Sequence, residues 1–190
     1  MKIVVAITGA SGAIYAQRLL KKIKALTPTN EVAVVFSSNA QDIWKYELKE
    51  PWIDGSYGVD IFDRKDFNAP FASGSSRYEL MIIVPCSMGT LARISHGISD
   101  DLITRTADVM LKERRRLVIV PRETPYNLVH LRNMTSLTEM GAVIVPATPS
   151  FYRCPTTIEE VVDSVVDRIM SVSALKDEEN SWGEGPMLMR

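Results

Sequence analysis

Apolar residues fall along this chain in two rhythms. Ile3-Val4-Val5-Ala6-Ile7, Val32-Ala33-Val34-Val35-Phe36, Leu80-Met81-Ile82-Ile83-Val84 and Leu117-Val118-Ile119-Val120 contain no polar position. Side chains of a strand alternate between its faces, so a run that is apolar throughout predicts a strand buried on both sides. Ala142 to Pro146 reads as the last strand of the same kind. Between the runs, apolar residues recur at three- and four-residue spacing. Ile14, Tyr15, Leu19, Leu20 and Ile23, with Gln17, Arg18, Lys21, Lys22 and Lys24 among them, predict a helix. Further helices are predicted through Ala40 to Leu48, closed by Pro51, from Leu91, from Asp100 to Arg114, near 127–140, and from Ile158 to Val172. Gly141 is the expected stop of the 127–140 helix. Segment 51–78, rich in glycine and serine, reads as a long irregular connection holding at most one short strand.

Strand and helix alternate throughout, which calls for an α/β protein with a doubly wound parallel sheet in three layers, α/β/α. One domain is expected over residues 1–175, followed by an extended or mobile polar tail, 176–190, containing Trp182. Ligands of such sheets bind beyond the carboxyl ends of the strands. Four strand ends run into Gly9-Ala10-Ser11, Ser37, Ser87-Met88-Gly89-Thr90 and Arg122-Glu123, which places these residues along one edge.

The first of these ends is a strand, a tight turn of small residues (Gly-Ala-Ser-Gly, 9–12) and a helix. A helix entered in this way turns unpaired N–H groups and its positive dipole end toward the turn, which suits a phosphate. The spacing is not the Gly-x-Gly-x-x-Gly that seats a pyrophosphate, and Ser37 stands where a dinucleotide site places a ribose-binding acid. The pattern reads as a mononucleotide pocket, or as a turn serving packing alone.

Composition narrows the class. The 190 residues are 46% hydrophobic and 24% charged, with a net charge of −1, which is ordinary for a globular protein and gives no reason to expect nucleic acid or an acidic membrane surface. No apolar run approaches the ~20 residues of a spanning helix. A strand beginning at residue 3 leaves no room for a signal peptide, and two cysteines without metal-type spacing favour a reducing cytoplasm. With only His96 and His130, a histidine-rich metal site is excluded, and no metal is expected.

Arg122-Glu123 reads either as a surface ion pair or, from its place at a strand end, as an arginine that orients an anionic ligand beside a carboxylate that relays a proton. Lys112 with Arg114, Arg115 and Arg116 is either a solvated face complementing a helix dipole or the seat of a second phosphate, for which Lys112 and Arg105 are the favoured members. Tyr152 and Arg168 carry no signal individually.

Taken together, Gly-Ala-Ser-Gly-Ala (9–13), Pro-Cys-Ser-Met-Gly-Thr-Leu-Ala (85–92), the segment 111–125 and Phe-Tyr-Arg-Cys-Pro (151–155) resemble the UbiX/Pad flavin prenyltransferase family, in order and at matching spacing from about residue 2 to 172. The resemblance implies a Rossmann-like flavoprotein fold, a homo-oligomer that is usually a dodecamer, and non-covalent binding of flavin mononucleotide (FMN). It implies transfer of the dimethylallyl group of dimethylallyl phosphate to N5 and C6 of reduced FMN, giving the prenylated FMN used by UbiD-type decarboxylases. Flavin contacts implied for this chain are Gly9, Ala10, Ser11, Ser37, Ser87, Met88, Gly89, Thr90 and Arg122. Tyr152 and Arg168, helped by Lys112 and Arg105, are implied to hold the prenyl phosphate, part of the site coming from a neighbouring subunit. Ser11 and Glu123 match the family's proton-handling pair, and Trp182 a tail tryptophan that closes the site. Gly89 departs from members that carry lysine there. Two other readings are an FMN-dependent cysteine-type decarboxylase, whose histidine and Pro-x-Met-Asn segment are missing here, and a non-catalytic flavin-binding partner of a decarboxylase.

Overall fold

In the computed structural model, which describes residues 1–26 and 28–175, the apolar runs become strands of one sheet. They are β1 (Lys2–Ile7), β2 (Glu31–Phe36), β3 (Asp60–Phe62), β4 (Tyr78–Cys86), β5 (Arg116–Pro121) and β6 (Val143–Ile144). All neighbours pair in parallel, in the order β3-β2-β1-β4-β5-β6. The expected tail with Trp182 lies outside the described residues.

The period of two explains the unbroken apolar runs. Ile3, Val5 and Ile7 of β1 face one core, shared with α1 (Ala13–Leu26), α2 (Ala40–Leu48) and α6 (Ile158–Val172). Val4 and Ala6 face a second core, shared with α3 (Met88–Ser95), α4 (Leu102–Lys112), α5 (Leu128–Glu139) and a turn at Pro70–Ala72. Each fully buried Val, Leu or Ile stabilises the fold by about 1.5–3 kcal/mol relative to exposure, so both faces must be covered. Three layers follow.

Helix limits follow from caps. Asp101 accepts the Thr104 N–H at 2.8 Å, which starts α4 two residues later than the apolar pattern predicts. At its other end the Arg115 N–H donates to the Met110 carbonyl at 2.8 Å, with Arg114 in the left-handed region (φ 56°). The predicted stop at Gly141 holds in the same geometry, with φ 100° and the Ala142 N–H on the Leu137 carbonyl at 2.9 Å. β6 is shorter than predicted. Val143 and Ile144 pair with Val118 and Ile119, after which only the Val145 N–H, on the Ile119 carbonyl at 2.8 Å, continues the ladder before Pro146 interrupts it. Segment 51–78 is irregular but packed: Trp52 meets Trp44 at 5.0 Å between ring centroids, and Phe71 lies between Phe62 and Tyr78.

The strand order switches between β1 and β4, with β2 and β3 laid out on one side and β5 and β6 on the other. That reversal of order opens a crevice at the carboxyl ends of β1 and β4.

Candidate functional site

A belt of hydrogen bonds crosses the carboxyl edge of the sheet. The Ser37 N–H donates to the Ile7 carbonyl at 2.9 Å, the Arg122 N–H to Cys86 at 3.2 Å and the Ala147 N–H to Pro121 at 3.1 Å. At the reversal, the Thr8 hydroxyl donates to the Pro85 carbonyl at 2.7 Å and accepts the Ser87 N–H at 2.8 Å. Thr8 is fully buried and uses its hydroxyl in both directions, so it ties the first turn to the loop after β4. Sequence reasoning passed over it. The available signal was a hydroxyl placed directly after an all-apolar strand. Through this belt the structure brings Gly9, Ala10, Ser11, Ser37, Ser87, Met88, Gly89, Thr90, Arg122 and Glu123 to one rim, as expected.

The amino end of α1 differs from expectation. Its first N–H groups, those of Gly12 and Ala13, donate to the carboxylate of Glu47 on α2 at 2.9 and 2.8 Å. An anion does sit at this helix start, and the chain itself supplies it. Glu47 is the second residue that sequence reasoning missed. It lies in α2 among ordinary charged positions, with no local mark of its partner.

The start of α3 fits a phosphate. Ser87 caps it, accepting the Thr90 N–H at 3.3 Å and donating to the Thr90 hydroxyl at 3.1 Å. Gly89 is exposed, and a Cβ added there would meet nothing within 4 Å, so a ligand has room to approach the backbone. Arg93, one turn on, donates to the Thr90 hydroxyl at 3.3 Å and pairs with Asp100 at 2.7 Å and Asp101 at 3.1 Å. The polar groups of this rim, the Ser87 and Thr90 hydroxyls, the exposed backbone at Gly89 and the nearby Arg122, suit a flavin mononucleotide.

Glu123 is exposed and accepts the Thr124 N–H at 3.0 Å. Burial raises the Tyr126 phenol above its usual range, and the Glu123 charge adds to the rise. Cys86 is fully buried, and its thiol is pushed up to about 12 by that burial, so it stays neutral and unreactive. Neither histidine takes part in the rim's hydrogen-bond belt: Nδ1 of His96 lies 2.8 Å from the Ala92 carbonyl, and the His130 N–H donates to the capping Asn127 at 2.9 Å.

Remaining candidates are not gathered by one chain. Lys112 ends α4 at the amino end of β5, the opposite end from Arg122, and pairs with Glu113. Six residues of β5 separate the two ends by about 20 Å at ~3.3 Å per residue. Arg105 donates to Asp108 at 2.9 Å and to the Ala72 carbonyl at 3.0 Å. Tyr152 is exposed in the loop before α6, whereas Arg168 lies ten residues into that helix, roughly 15 Å along it at ~1.5 Å per residue.

Residues 1–170 match the family model described as Flavoprotein. The chain is 43% identical over 173 residues to the flavin prenyltransferase UbiX of Methanocaldococcus jannaschii, covering 90% of this chain and 92% of that one. It superposes on the crystal structure of AnUbiX in complex with FMN and dimethylallyl pyrophosphate with a TM-score of 0.87 at 44% identity, over 95% of this chain and 98% of the other. A dodecameric FMN-dependent UbiX-like decarboxylase from Escherichia coli O157:H7 superposes with a TM-score of 0.89 at 38% identity, over 97% and 100% of the two chains. With the reversal crevice, the phosphate-compatible α3 start and these likenesses agreeing, the chain belongs to the flavin prenyltransferase UbiX group of the Flavoprotein family.

Proposed function

We propose that this protein joins the dimethylallyl group of dimethylallyl phosphate to N5 and C6 of reduced FMN, producing the prenylated FMN that UbiD-type decarboxylases use. The observation that carries the reading is the rim itself: four loops with the family's sequences are stitched together at the one crevice where a doubly wound sheet binds a ligand. Reduced FMN, when bound, would supply the electron pairs for two new carbon bonds: one replaces the allylic carbon–oxygen bond, whose electrons leave with phosphate, and the other consumes the allylic double bond, whose central carbon takes up a proton.

The chain's own residues have three tasks. The α3 start, with Ser87, Gly89 and Thr90, holds the flavin phosphate, and Arg122 orients the ring system from the end of β5. Ser11 and Glu123, on the loops after β1 and β5 that flank the loop after β4, move the protons that flavin loses as the new bonds form. Tyr152, Arg168, Lys112 and Arg105 surround the leaving phosphate with positive charge and a phenol, which stabilises the charge that develops there without a metal. Since one chain keeps Lys112 and Arg168 away from its own rim, these residues serve the rim of another copy in a homo-oligomer, which we take to be a dodecamer. Exposed Tyr126, Leu128, Val129 and Leu131 at the start of α5 border the rim and supply apolar surface for that contact. Closure by the neighbour excludes water from the allylic cation's position. No helix among the described residues is long and apolar enough to cross a membrane, and we place the reaction in the cytoplasm.

The test is anaerobic incubation of the purified protein with reduced FMN and either dimethylallyl phosphate or the pyrophosphate, followed by mass analysis of the flavin. A product heavier than FMN by the added five-carbon unit is expected. Flavin that binds but is never altered would favour a non-catalytic binding partner instead. For cysteine-type decarboxylation, the segment at the end of β5 is Pro121-Arg122-Glu123-Thr124-Pro125, which lacks the Pro-x-Met-Asn pattern of those enzymes.

A further inference from the structure

We propose that Arg93 is a positioning residue for the flavin phosphate, its guanidinium holding the hydroxyl pair of Thr90 and Ser87 at the start of α3. Ser87, Thr90 and Arg93 follow one another at three-residue steps, so they lie along one face of the helix and its cap. Ser87 is partly exposed at the rim, and its hydroxyl donates to that of Thr90 at 3.1 Å. Thr90 is buried, and its hydroxyl also accepts from Nη2 of Arg93 at 3.3 Å. A guanidinium has no acceptor, so Thr90 can only receive from that side. Both acceptor positions of the Thr90 hydroxyl are thus filled, one by the helix cap and one by Arg93.

Arg93 is itself held from behind. Its Nη1 donates to Asp100 at 2.7 Å and to Asp101 at 3.1 Å, and the Asp101 side chain is only 5% exposed. The other oxygen of Asp101 accepts the Thr104 N–H at 2.8 Å, so this acid is fixed by the start of α4. A planar guanidinium gripped through one nitrogen has little freedom left for the other, which fixes the approach of Nη2 to Thr90. With two carboxylates on Nη1, Arg93 brings little net charge to the rim. What it contributes is the orientation of the two hydroxyls.

The consequence for flavin rests on the function proposed above, whereas the side-chain pairing does not, and separate measurements test them. Arg93→Lys keeps a positive charge for Asp100 and Asp101 but has no second nitrogen for Thr90. In the flavin-free protein this change should accelerate amide exchange at Thr90, whose N–H sits on the Ser87 hydroxyl, by about threefold or more, and leave exchange at Thr104 unchanged. Unchanged exchange at Thr90, or equal acceleration at both amides, would overturn the pairing. For the consequence, Arg93→Lys should weaken FMN binding about three- to tenfold, the size of one hydrogen bond, while riboflavin, which lacks the phosphate, loses less than about twofold. In a Thr90→Val background the FMN loss should shrink to less than about twofold, and in Thr90→Ser, which keeps the hydroxyl, it should persist. Equal losses for FMN and riboflavin, or a full loss without the Thr90 hydroxyl, would show that Arg93 only packs and would overturn the positioning role. FMN binding that Arg93→Lys leaves unchanged would overturn it as well. If Ser87→Ala and Thr90→Val both bind FMN as the wild type does, the phosphate seat at α3 is refuted and with it the flavin role of Arg93, while the exchange result still decides the pairing.

Discussion

The carboxylate of Glu47, near the end of α2, accepts the N–H of Ala13 at the start of α1 at 2.8 Å. Gly12 donates to the same group at 2.9 Å, so one side chain satisfies two of the N–H groups that a helix leaves unpaired at its amino end. Its negative charge also faces the positive end of the α1 dipole. Glu47→Ala should destabilise the protein by about 1–3 kcal/mol, since two partly buried donors lose a charged acceptor. Glu47→Gln, which keeps one acceptor oxygen, should lose less than half of that. Denaturant midpoints give the free energies, and amide exchange at Gly12 and Ala13 should accelerate in the same order. A Glu47→Ala protein with wild-type exchange at those amides would refute this account.

The contrast between Glu47 and the sheet shows which features the chain's order makes visible. Every long strand is buried on both faces, so each is written as an unbroken apolar run, and the helices between them keep their own period. Strand ends can then be read directly, and with them the rim residues that follow each strand. Glu47 meets Ala13 across 34 positions, through packing of α2 on α1, and nothing beside it in the chain marks that partner. Lys112 misleads in the opposite way. It is near Arg122 in sequence, but a strand lies between them and carries them to opposite ends of the sheet. Thr8 is legible in principle, being a hydroxyl at the point where the chain leaves β1, but its two partners, Pro85 at the end of β4 and Ser87 just beyond it, lie far along the sequence.

Acid sensitivity should be seated between α1 and α6. Asp163 accepts from Arg18 at 2.8 and 2.5 Å and pairs with Lys22 at 3.5 Å. Burial alone would raise its carboxyl, but the Arg18 hydrogen bonds and the Lys22 charge outweigh burial and hold it below the usual carboxylate range. A carboxyl whose folded value is depressed stabilises the fold above its unfolded value, and that contribution is lost as pH falls through the folded value. Asp163→Asn should therefore cost about 1–2 kcal/mol at neutral pH and progressively less below pH ~4. Unfolding measured across pH 3 to 7 on both proteins checks it; a constant difference would show that packing, and not charge, is responsible.

Gly9 permits a close approach between two rim loops. A Cβ there would lie 3.2 Å from Cβ of Asn39, the residue preceding α2. Valine adds two further methyl groups, which push the 9–12 turn away from Asn39 and distort the rim by overpacking. Gly9→Val should lose FMN retention while keeping the far side of the sheet intact. The flavin-to-protein absorbance ratio after gel filtration measures this, and a variant that retained stoichiometric FMN would place the flavin away from the turn.

The division of the site between copies gives the sharpest test. Glu123→Gln should bind FMN normally but slow prenyl transfer by ~100- to 10,000-fold, the usual range for lost acid–base help. Arg168→Ala and Tyr152→Phe should instead raise the dimethylallyl phosphate concentration needed for half-saturation by about tenfold or more, with flavin binding unchanged. Glu123 stands on the rim after β5, whereas Arg168 is well along α6 from the Tyr152 loop. If another copy's Arg168 completes the rim that holds Glu123, oligomers assembled from equal parts of Glu123→Gln and Arg168→Ala chains contain some sites with neither substitution. Random mixing makes these about a quarter of the total. Single-turnover prenylation by co-expressed mixed oligomers, at a phosphate concentration where each parent is nearly inactive, should then recover a substantial fast phase. If both residues came from the same chain, every site would carry one substitution and no fast phase would appear, so Arg168 would have to reach its own rim by a rearrangement of α6. Including Lys112→Ala in the same mixing experiment asks the same question of the amino edge of the sheet, and rescue there is expected as well, because β5 holds Lys112 and Arg122 at opposite ends.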